Sequence, residues 1–136
     1  MEYRKHRERI PKHLLSLLFI YPPLVPMIFL DLFLEVYHRI CFPLYGYPYV
    51  KRSAYIRIDR HKLSYLRWWQ KLNCIYCGYA NGLVHYATVI AGETERYWCS
   101  IQHKKVRGEV FYSPEHHKDF VPYGDKKALN AFLHEK

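Results

Sequence analysis

The sequence predicts a mainly α protein in two parts: a proline-broken hydrophobic N-terminal helical hairpin, followed by a small helical metal-knuckle unit. Three observations carry that expectation. Residues 14–50 are apolar and are interrupted by Pro22, Pro23 and Pro26. From Lys51 the chain turns polar, and after Asn81 its apolar residues recur at a helical period. Finally, Cys74-Ile-Tyr-Cys77-Gly78, then Cys99 and His103, have the spacing to hold one tetrahedral ion. At 136 residues the chain is long enough for one modest core. Its composition divides it into 1–50, a basic leader and membrane-associated hydrophobic helical segment, and 51–136, a small globular metal-binding unit.

In the first part, Arg4, Lys5, Arg7, Arg9 and Lys12 form the basic leader. They precede the run Leu14-Leu-Ser-Leu-Leu-Phe-Ile20. The pattern superficially resembles a secretory signal, but Tyr21-Pro22-Pro23 and further apolar residues stand where a small-residue cleavage site would be needed. About 20 apolar residues suffice to cross a bilayer. Three prolines within five positions break any helix in the middle of the segment. The expectation is a helix near 12–20, a bend at Pro22–Pro26, and a second helix near 26–40. Residues 14–38 hold two acids and no Lys or Arg, whereas 39–71 hold eight bases against Asp59 alone. Bases at both flanks place both on the cytoplasmic side, as a re-entrant hairpin or an in-plane helix allows. Anionic lipids would be the partner of this basic belt, with a protein partner as a further possibility. The alternative is that the zone is the buried core of a soluble helical protein.

Within the second helix, Asp31, Glu35 and His38 sit at i, i+4 and i+7 and line one stripe. As a polar face, the stripe suits an interfacial helix lying in headgroups. Glu35-Val-Tyr-His38 also has the ExxH spacing of di-iron bundles, but no second ExxH accompanies it in the body of the chain. Cys41 is expected to be a buried apolar thiol. Tyr55–His61 alternates apolar and charged residues, as a short strand or extended arm does. Ser64–Lys71 reads as a short amphipathic helix, and 81–104 as a longer one with Gly92 its weak link. The tail, 104–136, carries two turn signals and ends in a short helix, with nothing there that suggests chemistry of its own.

The metal reading places Cys74 and Cys77 on one tight knuckle, with Gly78 letting the backbone turn. Cys99 and His103 close the site from the last turns of the following helix. Zinc is the expected cofactor for closed Cys3His coordination, with iron the alternative. A redox dithiol at Cys74 and Cys77 is disfavoured, since the βαβ context of such motifs is missing. Glu95, four residues before Cys99, is a candidate acceptor orienting His103, and His116 or His117 an alternative fourth ligand.

Two resemblances accompany these residues. Cys74-Ile-Tyr-Cys77-Gly78-Tyr79 resembles the first knuckle of a rubredoxin, which implies iron, although CxxxH stands where the second CxxCG would be. Asn73-Cys74-x-x-Cys77-Gly78-Tyr79-Ala80-Asn81-Gly82 together with Trp98-Cys99-x-x-x-His103 resembles a family of small bacterial membrane-associated proteins, as does Asp31–Arg39. That resemblance implies a bacterial, membrane-associated setting and no reaction. The functional expectation is therefore a membrane-associated metal-binding protein at the cytoplasmic face, its site mainly structural and the whole an interaction module. The alternatives are a metal-dependent (iron) redox enzyme acting on a membrane substrate, and a zinc-finger-like nucleic-acid binder using the basic, aromatic stretch 47–71. Nucleic acid is the weaker of the two partners.

Overall fold

The computed structural model describes residues 6–134, so Arg4 and Lys5 of the leader lie outside the described residues. The protein is mainly helical, as expected. Helix α1 spans Ile10–Ile20, α2 Leu24–Tyr45, α3 Trp68–Trp98 and α4 Lys126–His134, with short 3-10 turns between them. Of the two readings of 55–61, the strand is absent: residues 56–59 carry no regular structure and lead into the 3-10 turn Arg60–Lys62. Among the described residues, β pairing is confined to one isolated parallel bridge, Ile101 with Val121. Two compact units meet inside α3, the first ending at Ala87 and the second beginning at Thr88. The compositional change near position 50 thus falls within the first unit.

In the first unit the prolines act as expected, and the hairpin takes the form of one long bent helix. Tyr21 and Pro23 both keep right-handed helical backbone angles. The amides of Leu24 and Val25 bond to the carbonyls of Tyr21 and Pro22, so 3-10-type bonds replace those the prolines remove. The stretch Ile10–Tyr45 is long and apolar enough to cross a membrane. Gly46 ends α2 in the left-handed conformation, φ 72°, with its amide on the last carbonyls.

The polar stripe of α2 is not a solvated or headgroup face. Asp31 accepts from the Arg52 guanidinium and from the Tyr79 hydroxyl of α3. Glu35 accepts from the hydroxyls of Tyr49 and Tyr86, at 2.6 and 3.1 Å, and from Arg39. His38 is fully buried, and its Nε2 accepts the Val50 amide at 3.0 Å. That backbone donor fixes the tautomer: the ring proton sits on Nδ1 and is donated to the Tyr86 oxygen at 2.8 Å. Apolar residues of α1 and α2 point the other way, with Phe19, Phe33 and Leu44 exposed by 74%, 69% and 76%. No di-iron set forms around Glu35 and His38 among the described residues.

Helix α3 departs most from expectation. It runs unbroken from Trp68, inside the short helix expected at 64–71, through the Cys74/Cys77 knuckle and the segment after Asn81 to Trp98, short of the expected end near 104. No proline interrupts it, and Gln70 starts it by accepting the Arg67 amide at 3.0 Å. Gly78 is not a knuckle turn. A Cβ there would lie 2.9 Å from the Arg57 carbonyl oxygen, and one on Gly82 would lie 2.8 Å from the Tyr55 carbonyl oxygen. These two glycines, one helical turn apart, form a flat seat for the backbone of residues 55–57. The buried side of α3 is Leu83, Tyr86 and Ile90, while Val84 and Trp98 of the expected apolar stripe are exposed.

Replacing Tyr86 by Phe leaves the buried Nδ1–H of His38 without an acceptor. Thermal unfolding in detergent should show a loss of about 1–3 kcal/mol, and an unchanged midpoint would refute the network. Burial, followed by its hydrogen bond to Asp31, pushes the Tyr79 hydroxyl up to about 12 from 10.0. Its stabilising effect is therefore complete below pH 10 and is lost as pH rises through about 12. Alkaline unfolding of the Tyr79→Phe variant should be shallower across that window than that of the native chain.

Candidate metal centre

Helix α3 and the 3-10 turn Glu115–Asp119 build a polar cluster in the second unit. Glu95 projects from the last turns of α3. The Nε2 atoms of His116 and His117 lie 2.8 and 3.0 Å from the same Glu95 oxygen, Oε2. His117 is buried and His116 half-buried. Burial raises the Glu95 pKa, but the hydrogen bonds to His116 and His117 outweigh it and hold the carboxyl below its usual range.

Local chemistry fixes both sides of this cluster. Pro114 precedes the turn in extended conformation, and the His117 amide closes it on the Pro114 carbonyl. The Gln102 side-chain amide donates to the carbonyls of His117 and Phe120, at 3.0 and 3.1 Å. Backbone bonds from Gln102 to Val121 and from Val121 to Ser100 sew the same two segments together. The His117 ring stacks on buried Phe120, with centroids 4.9 Å apart. His116 lies against α3 at Gly92, where a Cβ would come within 2.9 Å of its Nδ1. Gly92 is thus the weak link of the helix and also the space the histidine occupies.

Glu95, His116 and His117 offer three ligand atoms that all lie within 4.8 Å of one another, and among the described residues no other such group occurs. Of the expected set, Cys74 and Cys77 belong to the first unit and Cys99 and His103 to the second. Cys74 and Cys77 are helical residues of α3, one half-buried and one exposed. α3 ends at Trp98, so Cys99 and His103 lie beyond it instead of on its last turns. All four cysteines are free thiols, Cys41 half-buried among them. His103 packs edge-on to Phe111 and has its ring centroid 5.4 Å from that of His117.

The sequence pattern points to the same three residues in other roles. Glu95 was expected to orient His103 and instead meets the two histidines itself. His116 and His117 were candidates for a fourth ligand, in a tail otherwise thought to carry no chemistry. The signal that would have joined them is Gly92-x-x-Glu95, a gap and a carboxylate three residues apart on one helix face. Nδ1 of His117 is buried with no hydrogen-bond partner, so nothing there pins the ring proton. Two imidazole nitrogens and a carboxylate oxygen are a donor set that suits Zn²⁺ and Fe²⁺.

No family model matches the chain, and no curated protein and no solved structure is similar to it.

The packing of Gly92 on His116 predicts a sign change. Ala is the better helix former by about 1 kcal/mol. Gly92→Ala should nevertheless destabilise the native chain, and stabilise it by about 0.5–1 kcal/mol once His116 is Ala. Equal effects in both backgrounds, measured by denaturant unfolding, would rule the contact out.

Proposed function

We propose that this is a membrane-associated metal-binding protein whose C-terminal unit holds one divalent ion, with zinc as first choice, on Glu95, His116 and His117. The observation that carries the proposal is the convergence of both Nε2 atoms on one carboxylate oxygen, at 2.8 and 3.0 Å. A cation among these three atoms satisfies all of them at once and fastens the 115–119 turn to α3. That link contributes folding free energy a small unit otherwise lacks. This site takes over the role that the thiolate set has in the sequence reading.

Membrane association is supported by the inverted faces of α2. A soluble amphipathic helix turns its apolar stripe to the core and its polar stripe to water. Here the polar stripe is satisfied internally, and the apolar residues are left outward along the whole bent helix. Lipid is the solvent for which such an arrangement is stable. Basic residues at both flanks favour the cytoplasmic leaflet, each contributing about 1 kcal/mol near anionic headgroups. Nucleic acid has no such support from the bent helix.

A second reading, an iron-dependent redox enzyme, is favoured by the same donor set. Two histidines and a carboxylate with open positions are the ligands of non-haem Fe²⁺ sites.

Elemental analysis of protein extracted from membranes tests the proposal. About one metal per chain is expected, lost in Glu95→Gln and His117→Ala and kept in a Cys74→Ser/Cys77→Ser double variant. Loss in the cysteine variant alone would restore the sulfur site, and no metal in any sample would end the metal reading. Iron in anaerobically purified protein would move the redox enzyme to first place. The chain should stay in the membrane fraction through a high-salt wash; release by salt would point instead to a soluble, electrostatically held protein.

A further inference from the structure

Building on that metal reading, we propose that the ion keeps a coordination position open and takes a phosphate group there, whether free or carried by a lipid headgroup. His117 belongs to two features at once. It is part of the three-ligand group, and it lines a cavity of about 770 Å³ in the same unit. Three protein ligands leave a tetrahedral ion one position short, the arrangement of sites that bind an exogenous ligand rather than seal the metal. The cavity wall carries Lys104, Lys105 and Lys118 against Glu109 as its one carboxylate, so its formal balance is +2 (three bases less one acid).

His103 lines the cavity as well and stands outside the three-ligand group. Its ring centroid lies 5.4 Å from that of His117, which puts a second imidazole beside the residue that joins the ligand group to the cavity. Lys118 pairs with exposed Glu115, at 2.7 Å, and feels the charge of Asp119. An exposed pair of this kind contributes little, so the ammonium group can turn to an anion at small cost. Of the three ligands His117 alone borders the cavity, so the ion would reach this space past that residue; ammonium groups and a divalent ion are hard, cationic partners that select an oxyanion. The volume accommodates a group larger than phosphate alone, which is why an esterified phosphate is included.

Cobalt-substituted full-length protein in phosphatidylcholine nanodiscs provides the test, since Co²⁺ visible absorption reports its coordination directly. The spectrum should change saturably as inorganic phosphate is added. A Lys104→Ala/Lys105→Ala double variant should need about tenfold more phosphate, and His103→Ala should retain its cobalt. A shift on moving to discs containing phosphatidic acid, without inorganic phosphate, would assign the headgroup as the source. A spectrum indifferent to both would show that no phosphate reaches the ion, and cobalt lost from His103→Ala would show that His103 closes the site. Either result would overturn this inference and leave metal binding intact. Failure of native protein to take up cobalt would instead remove the metal reading itself.

Discussion

The structure depends on a carboxylate being fully paired inside an apolar helix. Glu35 accepts from two tyrosine hydroxyls and a guanidinium, and one of those tyrosines accepts in turn from the proton of buried His38. An unpaired carboxylate on such a helix would need water, and the helix would have to turn that face outward. Because the partners come from α3 and from the connector 46–52, the polar stripe faces inward and the apolar faces are left outside. The network thus determines which solvent the first unit tolerates. In a low-dielectric setting each of its bonds is stronger, and so is the penalty for any that is missing.

The same network explains why α3 is one helix. Tyr79 and Tyr86 are seven residues apart, as are Asp31 and His38, so the two helices present both hydroxyls in register, one donating to Asp31 and one accepting from His38. A knuckle at 74–78 would put Tyr79 out of that register. Gly78 and Gly82 weaken the helix by about 1 kcal/mol each relative to Ala. They also admit the 55–57 backbone to a distance that any side chain would block. Their place in the sequence is set by close approach, with no positive φ at either position.

Much of the fold was legible because it rests on local signals. Prolines 22, 23 and 26 marked the bend, apolar composition marked α1 and α2, and Lys126–Leu133 marked α4. What misled was a motif with two meanings. CxxC places two thiols on a knuckle when a turn follows, and on one helical face when none does. Gly78 was weighed as a turn former, because the segment that packs on it comes from elsewhere in the chain. The polar stripe was read correctly as a stripe but assigned the wrong neighbour for the same reason. His116 and His117 stood in an undistinguished tail, and nothing near them in sequence signals Glu95. Pairings between distant segments were what the single sequence withheld.

The two units use one device in opposite ways. In the first, a carboxylate on a helix meets tyrosine hydroxyls and a guanidinium. These donors carry fixed protons, so Glu35 is satisfied without any added ion. In the second, Glu95 meets two imidazoles, whose nitrogens are donors or acceptors according to where the proton lies. With protons on both Nε2 atoms the cluster closes as a hydrogen-bonded trio; with those protons elsewhere, three lone pairs face one point. Gln102 and the Ile101–Val121 bridge hold the turn in place. The three atoms are accordingly preorganised by backbone and packing, independently of what sits among them. A cation entering such a cluster would have to displace those protons, which links its binding to pH.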